Sequence, residues 1–347
     1  INKISKKFIN LKKLITNNRI IYLLLSSVFV IAVFLRFYNL NNYPVGFHQD
    51  EASLGYNAYS VLLTGKDDND NSLPLYIDMF GDNRPSGYHY LTIIPIKLFG
   101  LTEFATRFPG ALFGSITVFA IYFLAQVIFK NRAVSLLSAF LLAISPWHIV
   151  LSRASAEAVV ALFFIILGFS LLLHGFSENK RKFITLGAIF ASASYFFYHT
   201  PRVFVPLAFI IFTTYLFPFW KKEAKLIRVK MLLVFVFLST LVFCLVFFVR
   251  GGTGRYNQVN IFNNFETDFL QWQQLQEDAL AQSPKYISRL VHNKITNNFF
   301  IFADNYFDYF SGDFLFARGG LPIWYNIPRM GLMYIVELPF LIFGLYW

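Results

Sequence analysis

The chain has few of the residues on which several classes of protein depend. It contains one cysteine, Cys244, in 347 residues, so it forms no intrachain disulfide and offers no cysteine-based metal site. Charged residues make up only 14% of the sequence, whereas soluble domains carry about 25%. Hydrophobic residues are abundant instead, at 56%, with 44 phenylalanines among them. This composition excludes an ordinary soluble domain and predicts an all-α, polytopic membrane protein.

The apolar runs are long enough to cross a bilayer, which takes about 20 mostly apolar residues. The candidate spans are Ile20–Phe37, Pro109–Phe129, Ala133–Leu151, Ala158–Phe176, Phe183–Phe197, Val203–Phe219 and Met231–Val249, with an eighth starting near Met330. The first span lacks a small-residue cleavage site, so we expect a retained helix rather than a signal peptide. Because the chain starts without Met and stops inside an apolar run, we expect a fragment of a single transmembrane domain, residues 1–347, truncated at its C-terminus.

Basic residues gather in alternate connections between these spans. They are Lys3, Lys6, Lys7, Lys12, Lys13 and Arg19, then Lys130 and Arg132, then Lys180, Arg181 and Lys182, then Lys221, Lys222, Lys225, Arg228 and Lys230. The positive-inside rule assigns these connections, and the N-terminus, to the cytoplasmic side of the cell membrane. The formal net charge of +11 then reflects topology, and no nucleic-acid partner is expected.

The two longest connections, residues 38–108 and 250–329, are expected to be extracytoplasmic, and they contain most of the acidic residues. Within the first, the apolar stretch Tyr88–Phe99 is interrupted by Pro95 and Lys97. We interpret it as an interfacial helix, because a full span there would invert every later connection and break the charge rule. The second loop is polar and is expected to form a cap of short helices.

Two adjacent carboxylates, Asp50 and Glu51, follow the first span closely. Acidic residues beside a bilayer are costly unless they are hydrated, paired or used in function. The pair is therefore our first candidate for a site. The alternative is a solvated pair that only ends a helix.

Further polar residues fall near the same predicted membrane face. The cations are Arg84, Arg107, Arg153, His199 and Arg202, and the acids are Glu157 and Asp313. The cations suit the binding of a phosphate, but pairing with lipid headgroups is an alternative for each arginine, and a structural hydrogen bond for the histidine. For Glu157 the alternative is a purely structural role. Ser155 would cap the helix, and the helix dipole would favour an acid such as Glu157 at the N-terminus.

A metal site is only weakly supported by the sequence. Asp50, Glu51, Glu157 and His199 together offer enough ligands for one divalent cation, but they have none of the local spacing typical of zinc sites. We therefore expect no metal and no other cofactor, with a divalent cation as the weaker alternative.

Several stretches of the sequence resemble glycosyltransferase family 39, which includes the protein O-mannosyltransferases and the aminoarabinose transferases. They are P-V-G-F-H-Q-D-E-A-S-L-G-Y-N-A-Y-S at Pro44–Ser60, F-G-D-N-R-P-S-G-Y at Phe80–Tyr88, F-G-L-T-E-F-A-T-R-F-P-G-A-L-F-G at Phe99–Gly114, S-P-W-H-I-V-L-S-R-A-S-A-E-A at Ser145–Ala158, Y-H-T-P-R at Tyr198–Arg202 and M-G-L-M-Y-I-V-E-L-P-F at Met330–Phe340. The resemblance implies the C-type glycosyltransferase fold, with juxtamembrane helices in long extracytoplasmic loops. It also implies a polyprenyl-phosphate sugar donor and a protein, lipid or glycan acceptor.

The resemblance implies roles for individual residues as well. Asp50 matches the family's catalytic aspartate by position and is expected to be the general base, with Glu51 as its substitute or as the group that orients it. Arg84 stands where many members carry the Lys of Lys-Pro-Pro, and Ser86 replaces the second proline. An arginine fork binds phosphate as well as lysine does, so this departure affects loop geometry more than class.

Two other functions remain open on the sequence. A transporter or lipid flippase would place charges near the bilayer midplane, whereas here the polar clusters gather at one face. A structural or receptor-like membrane protein would have no use for the acids. The clustering favours an enzyme.

Overall fold

The computed structural model describes residues 18–216, 224–249, 265–320 and 327–346. Two compact units divide the chain after residue 252, and each is considered by itself. Some of the residues used above for orientation lie outside the described ranges, namely Lys3, Lys6, Lys7, Lys12, Lys13, Lys221 and Lys222. Residues 250–264 and 321–326 of the expected second loop also lie outside them.

The first unit consists of helices and one short hairpin. Its elements are α1 (Asn18–Phe37), α2 (Gln49–Thr64), β1 (Tyr76–Met79), β2 (Asp82–Pro85), α3 (Gly87–Phe99), α4 (Glu103–Phe129), α5 (Arg132–Ile144), α6 (Pro146–Arg153), α7 (Glu157–Ser177), α8 (Arg181–Ala193), α9 (Pro201–Leu216) and α10 (Ala224–Phe247). The expectation of an all-α membrane fold is confirmed; the hairpin is its small exception.

Four helices of the described ranges are long and apolar enough to cross a membrane: α1, α4, α7 and the part of α10 from Val229 to Phe247. A bent pair, α5 with α6, makes a fifth candidate. The predicted spans at 183–197 and 203–219 correspond to shorter helices, α8 and α9, and residues 217–219 are outside the described ranges. The chain is a multi-pass membrane protein.

The expected continuous span Ala133–Leu151 is wrong in one respect, because it bends by 53° between α5 and α6. The bend falls at Ser145-Pro146, where Ser145 has an extended backbone (φ −60°, ψ 123°). Proline supplies no N–H to the preceding turn and disfavours helical geometry in the residue before it. Proline therefore ends α5 and starts α6.

Two arginines donate to carbonyl groups at helix ends near the bend. Arg36, fully buried in α1, donates to the carbonyl oxygens of Leu142 and Ala143 at the end of α5 (3.2 and 3.0 Å). Arg153 of α6, which is half-buried, donates to the carbonyl of Leu35 at 2.9 Å. The last carbonyls of a helix have no partner within it, so Arg36 caps the end of α5 and Arg153 caps the end of α1. Together they fix α1 against the bent pair.

Close packing of α7 on α8 depends on small residues. A Cβ atom on Gly168 would lie 2.6 Å from the backbone nitrogen of Ala191, and one on Gly187 would lie 2.6 Å from that of Leu172. Glycine lets two membrane helices approach until their backbones touch. This contact fixes the start of α7, which carries Glu157, relative to the α8–α9 connection.

The first long loop is an ordered platform of α2, the hairpin and α3. The predicted helix at Tyr88–Phe99 is confirmed as α3, whereas α2 and the hairpin were not predicted. In the hairpin, Ile77 pairs with Arg84 and Asp78 pairs with Asn83. The turn at Phe80 (φ 55°) and Gly81 (φ 86°) has the two positive φ values that a two-residue hairpin favours.

The hairpin has two chemically different faces, because side chains alternate along a strand. One face carries Ile77 and Met79, both buried, together with Asp82 and Arg84. The other face carries Tyr76, Asp78 and Asn83. The platform therefore presents one set of side chains to the α7 terminus and another to the opposite side.

The second unit contains α11 (Phe265–Leu280), α12 (Lys285–Val291) and α13 (Lys294–Asp308), in agreement with the short helices expected in the second loop, and α14 (Leu338–Tyr346). Helix α14 lies where the eighth span was predicted to start near Met330, and the apolar helix described there, Ile335–Tyr346, is shorter than the helices that are long enough to cross a membrane. Helix α13 packs on α11 through polar contacts. Asn297 donates to Gln274 at 2.8 Å, and Thr267 donates to Asn298 at 3.2 Å. The core of this contact is made of amides rather than of the aromatic residues in which the segment is rich.

Candidate active site

Asp50 and Glu51 occupy the first turn of α2, whose start is fixed by His48. The His48 ring nitrogen accepts from the backbone N–H of Asp50 at 3.2 Å, and Glu51 accepts from the backbone N–H of His48 at 3.3 Å. This reciprocal cap satisfies N–H groups that a helix start leaves unpaired. It also points the two carboxylates apart: the Asp50 side chain is 16% exposed, and that of Glu51 is 3% exposed.

Arg84 of β2 lies between three carboxylates that come from three separate elements. Its Nη2 is 3.0 Å from Asp50 Oδ2, its Nε is 3.1 Å from Asp82 Oδ2, and its Nη1 is 3.4 Å from Glu157 Oε1. The guanidinium is about a quarter exposed. The structure therefore brings together Asp50, Arg84 and Glu157, all three of which were predicted from the sequence. We call these residues and Asp82 the Arg84 cluster.

The charge of Arg84 is secured by these neighbours. Burial alone would lower the pKa of the guanidinium, but Glu157, Asp50 and Asp82 outweigh burial and raise the pKa above its ordinary value. Because three carboxylates already occupy the guanidinium, a further anion binds Arg84 only by displacing one of them. The cluster therefore combines a carboxylate that is reachable from solvent with a permanent cation in direct contact with it.

Beneath this cluster, Glu51 and Arg107 form a fully buried ion pair. Arg107 Nε and Nη2 donate to the two Glu51 oxygens, each at 2.9 Å. The remaining donors of Arg107 reach the backbone carbonyls of Leu40 at 3.1 Å and of Gly46 at 2.7 Å. A two-pronged contact of this kind fixes both partners in orientation. Arg107 thus ties α4 to α2 and to the chain that leads into α2.

All these groups lie at one end of the long helices. Helix α4 starts next to Arg107 and runs for 27 residues to Phe129, a length of about 40 Å. Helix α7 starts with Glu157 and ends at Ser177. The basic turns at Lys130 and Lys180 follow the far ends of these helices, so the acidic cluster and the basic turns lie at opposite ends of the bundle.

His199 and Arg202 contact the other face of the hairpin. The Arg202 guanidinium lies 5.0 Å from the centre of the Tyr76 ring and donates to the carbonyl of Tyr195 at 2.9 Å. The His199 Nε2 lies 2.8 Å from the carbonyl oxygen of Asn83. These two residues hold the hairpin against α9.

Two other sequence candidates, Arg153 and Asp313, have partners of their own. Arg153 binds backbone carbonyls of the segment that follows α1, including those of Tyr38 at 2.8 Å and Tyr43 at 3.1 Å. Asp313 belongs to the second unit, where it pairs with Arg318 at 2.6 Å. Their part in binding stays a prediction.

In the part of the chain that the structure describes, no three His, Cys, Asp or Glu side chains converge on a point suited to a metal ion. Of the four ligands considered from the sequence, Glu51 is committed to Arg107, and His199 lies on the other hairpin face. The carboxylates that do converge, Asp50, Asp82 and Glu157, share the Arg84 cation.

Three functional neighbours were missed by the sequence reasoning. Asp82 binds Arg84, His48 caps α2, and Ser155 donates to Glu51 Oε1 at 3.0 Å. The interpretation of Ser155 as a helix cap is wrong, since α7 has Ala156 at its N-cap with no side-chain hydrogen bond. No clear signal for Asp82 was present in the sequence, because residues 82 and 84 share a face only on the strand that the structure forms there.

Comparison with known sequences identifies one family model, described as dolichyl-phosphate-mannose-protein mannosyltransferase, which matches residues 83–249. The match includes Arg84, Arg107 and Glu157, and starts after Asp50 and Glu51. A protein of Aquifex aeolicus (strain VF5), described as uncharacterized, is 29% identical over 185 residues, which cover 53% of this chain and 36% of that protein.

Among solved structures, the fold is similar to the archaeal oligosaccharyltransferase AglB from Archaeoglobus fulgidus in complex with an inhibitory peptide and a dolichol-phosphate. The TM-score is 0.50 at 15% identity, and the match covers 83% of this chain and 38% of that one. The chain thus spans little more than a third of the length of the proteins it matches. The structural similarity concerns the membrane fold.

Proposed function

We propose that the chain is a C-type glycosyltransferase that transfers a sugar from a polyprenyl-phosphate donor to a protein, lipid or glycan acceptor. The family model that matches residues 83–249 and the similarity of the membrane fold support this proposal. The observation that carries the proposal is the 3.0 Å contact between Asp50 and Arg84. Transfer of a sugar from a lipid phosphate requires a base for the acceptor and a cation for the phosphate, and these two residues supply both.

In the proposed reaction, an acceptor hydroxyl attacks the anomeric carbon of the donor sugar. A new carbon–oxygen bond forms while the bond to the phosphate oxygen breaks, and the bonding electrons leave with the polyprenyl phosphate. Asp50 takes the hydroxyl proton as general base. Arg84 turns from Asp50 or Glu157 to the phosphate, whose charge increases as the bond breaks, and so stabilises the transition state more than the ground state.

The surrounding residues serve these two. Glu51 acts as a positioning residue, because its pairing with Arg107 orients the turn that presents Asp50. Glu157 and Asp82 hold the Arg84 fork in plane until the phosphate arrives. Arg202 and His199 support the hairpin from its other face, and Asp313 remains a candidate acceptor contact from the second loop.

Replacing Arg84 tests the phosphate role. Arg84→Ala is expected to lower kcat for donor consumption by about 10²–10³, as loss of one preorganised donor to a developing negative charge does in other enzymes. Arg84→Lys should restore activity only partly, since lysine offers a point charge without the fork. The measurement is consumption of one member of a panel of prenyl-phosphate sugars by purified protein in lipid nanodiscs.

Lys66→Ala is the matched control for Arg84, because Lys66 is an exposed cation of the same unit that pairs only with Asp70 in a surface contact. It should leave kcat unchanged. If Arg84→Ala consumes donor like the parent, the phosphate binds elsewhere. Consumption of no donor by the parent, with transport of the lipid across the membrane instead, would favour the flippase alternative.

We further propose that residues 38–108 and 250–329 face the outside of the cell membrane and that the N-terminus is cytoplasmic. With Cys244 changed to serine, a single cysteine at Lys66 is expected to react with a membrane-impermeant thiol reagent on intact cells. A single cysteine at Lys180 should react only after permeabilisation, because the turn beyond α7 lies at the far end of the bundle. The reverse pattern would place the Arg84 cluster in the cytoplasm and exclude an extracytoplasmic reaction.

A further inference from the structure

A second polar site lies on the face of the hairpin that does not carry Arg84. A cavity of about 690 Å³ opens there, within the range of about 300–1,000 Å³ typical of small-ligand pockets. Its polar lining consists of Asn69, Asn71, Ser72, Tyr76, Asp78 and Asn83. None of these residues has a role in the reaction proposed above.

Side chains alternate between the two faces of the hairpin, and this explains why the cavity is separate from the Arg84 cluster. Asn83 stands between Asp82 and Arg84 in the sequence, and its side chain therefore lies on the opposite face from theirs. Asp78 is its partner across the hairpin and shares its face. The cavity and the cluster are thus divided by a single strand, β2, which contributes a side chain to each.

The part of the wall formed by Asn69, Asn71 and Ser72 is rigidly built. The buried Asp67 carboxylate accepts from the backbone N–H groups of Asn69 at 3.0 Å and Asn71 at 2.8 Å. Asn57, fully buried in α2, accepts from the backbone N–H of Asp68 at 3.1 Å. Because Asn57 and Asp50 belong to the same helix, α2 holds both the cavity wall and the proposed base in position.

The lining chemistry selects a class of ligand. The amide donors of Asn71 are bonded to Asp67, and the Tyr76 hydroxyl donates to the carbonyl of Leu245, so these two groups offer a ligand mainly their acceptor atoms. Ser72 and Asn83 offer both donors and acceptors, which matches groups that also donate and accept. Among the described residues that line the cavity none is a cation, and Asp78 contributes a carboxylate, so the lining offers a phosphate no ion pair. A neutral ligand rich in hydroxyl groups satisfies this lining best.

We propose that this cavity binds a neutral glycan and that the bound glycan is the acceptor of the transfer reaction, an assignment of the acceptor that rests on the proposed function. A glycan seated there lies one strand away from Asp50, so its next sugar reaches round the edge of β2 towards the base. The donor phosphate finds its cation in Arg84, since the described lining of the cavity has none. The hairpin thereby separates the two substrates before they react.

The test compares a variant that fills the cavity with one that does not. Ser72→Trp places a large ring in the cavity, whereas Lys66→Trp places the same ring on an exposed position of the same loop outside the lining. Binding of tritium-labelled mannobiose, cellobiose and N,N′-diacetylchitobiose is measured by equilibrium dialysis of the full chain in nanodiscs. Consumption of the prenyl-phosphate sugar is measured in parallel, with and without disaccharide.

At least one disaccharide is expected to bind the parent and to raise its donor consumption. Ser72→Trp should weaken that binding by about tenfold or more, since hydroxyl-binding sites lose affinity steeply when their partners cannot pair. Slow consumption of donor by water should be unchanged in Ser72→Trp, because the Arg84 cluster is intact. Lys66→Trp should behave as the parent does in both assays.

Equal disaccharide binding by the parent and Ser72→Trp would overturn the cavity assignment, as would failure of all three disaccharides to bind the parent. A threonine peptide that raises donor consumption equally in both proteins, with no disaccharide doing so, would overturn the acceptor assignment. If the parent consumes no donor but Ser72→Trp still loses disaccharide binding, the proposed function fails while the glycan site stands.

Discussion

The Asp50→Asn protein is expected to bind donor normally and to turn it over about 10²–10⁴ times more slowly than the parent, the usual contribution of a general base. Asparagine preserves the shape of the side chain and can still accept the hydrogen bond from Arg84 Nη2, which lies 3.0 Å from Asp50 Oδ2. It cannot take up the acceptor's proton. The loss should therefore appear in kcat, while donor affinity stays close to that of the parent.

Asp82→Asn is the matched control for Asp50, because Asp82 contacts the same guanidinium at a similar distance, 3.1 Å. Its carboxylate orients Arg84 but has no proposed part in proton transfer, so the fall in kcat should be much smaller. Single-turnover measurements with one radiolabelled prenyl-phosphate sugar distinguish the two variants. Equal losses in both would mean that the charge around Arg84 matters and that no single carboxylate is the base.

The membrane spans could be predicted well because long apolar runs have few alternatives in a bilayer. The predicted Ile20–Phe37 and Ala158–Phe176 correspond closely to α1 and α7. The bend at Pro146 was missed although its signal was in the sequence. Hydropathy averaged over a window does not register the loss of one N–H group, and the consequence of proline depends on whether a neighbour can satisfy the freed carbonyls. Here Arg36 does so.

The site was predictable residue by residue but not as an arrangement. Asp50, Arg84 and Glu157 stood out because charges beside a membrane are costly. Their contact depends on a hairpin that is hard to predict from the sequence, because its turn is Phe80-Gly81 rather than the typical Asn-Gly. The pairing also brings together residues 34 and 73 positions apart. Such contacts depend on how the helices pack, and local sequence patterns do not predict that packing.

Arginines posed the opposite difficulty. Arg107 and Arg153 had the same sequence signature as Arg84, a cation near a membrane boundary, and all three were considered as phosphate ligands. A guanidinium has five donors, and what it does depends on where they go. Those of Arg107 go to Glu51 and to backbone carbonyls, and those of Arg153 go to carbonyls around the end of α1. Only the tertiary structure distinguishes such a clamp from a binding group.

Removing either member of the buried Glu51–Arg107 pair is expected to lower the free energy of unfolding by about 3–5 kcal/mol, the usual cost of breaking a buried ion pair. The loss should be the smaller one for Glu51→Gln, because Arg107 keeps a carboxylate partner in Glu103 at 3.3 Å. Both side chains are at most 3% exposed, and their two 2.9 Å contacts have no solvent substitute. Glu51→Gln and Arg107→Met are the single variants. Denaturant unfolding of detergent-solubilised protein, followed by circular dichroism, measures the loss.

The double variant Glu51→Gln/Arg107→Met decides whether the pair acts as a unit. Once both charges are gone, the desolvation cost of the survivor disappears as well, so the double variant should lose less stability than the sum of the two single variants. Lys66→Ala/Asp70→Ala, which removes an exposed pair, should show almost no such coupling. Additive losses at the buried pair would mean that Arg107 acts chiefly through the carbonyls of Leu40 and Gly46. Glu51 would then be stabilised chiefly by its hydrogen bonds from Ser155 and from the His48 backbone, and its proposed role in positioning Asp50 through Arg107 would have to be abandoned.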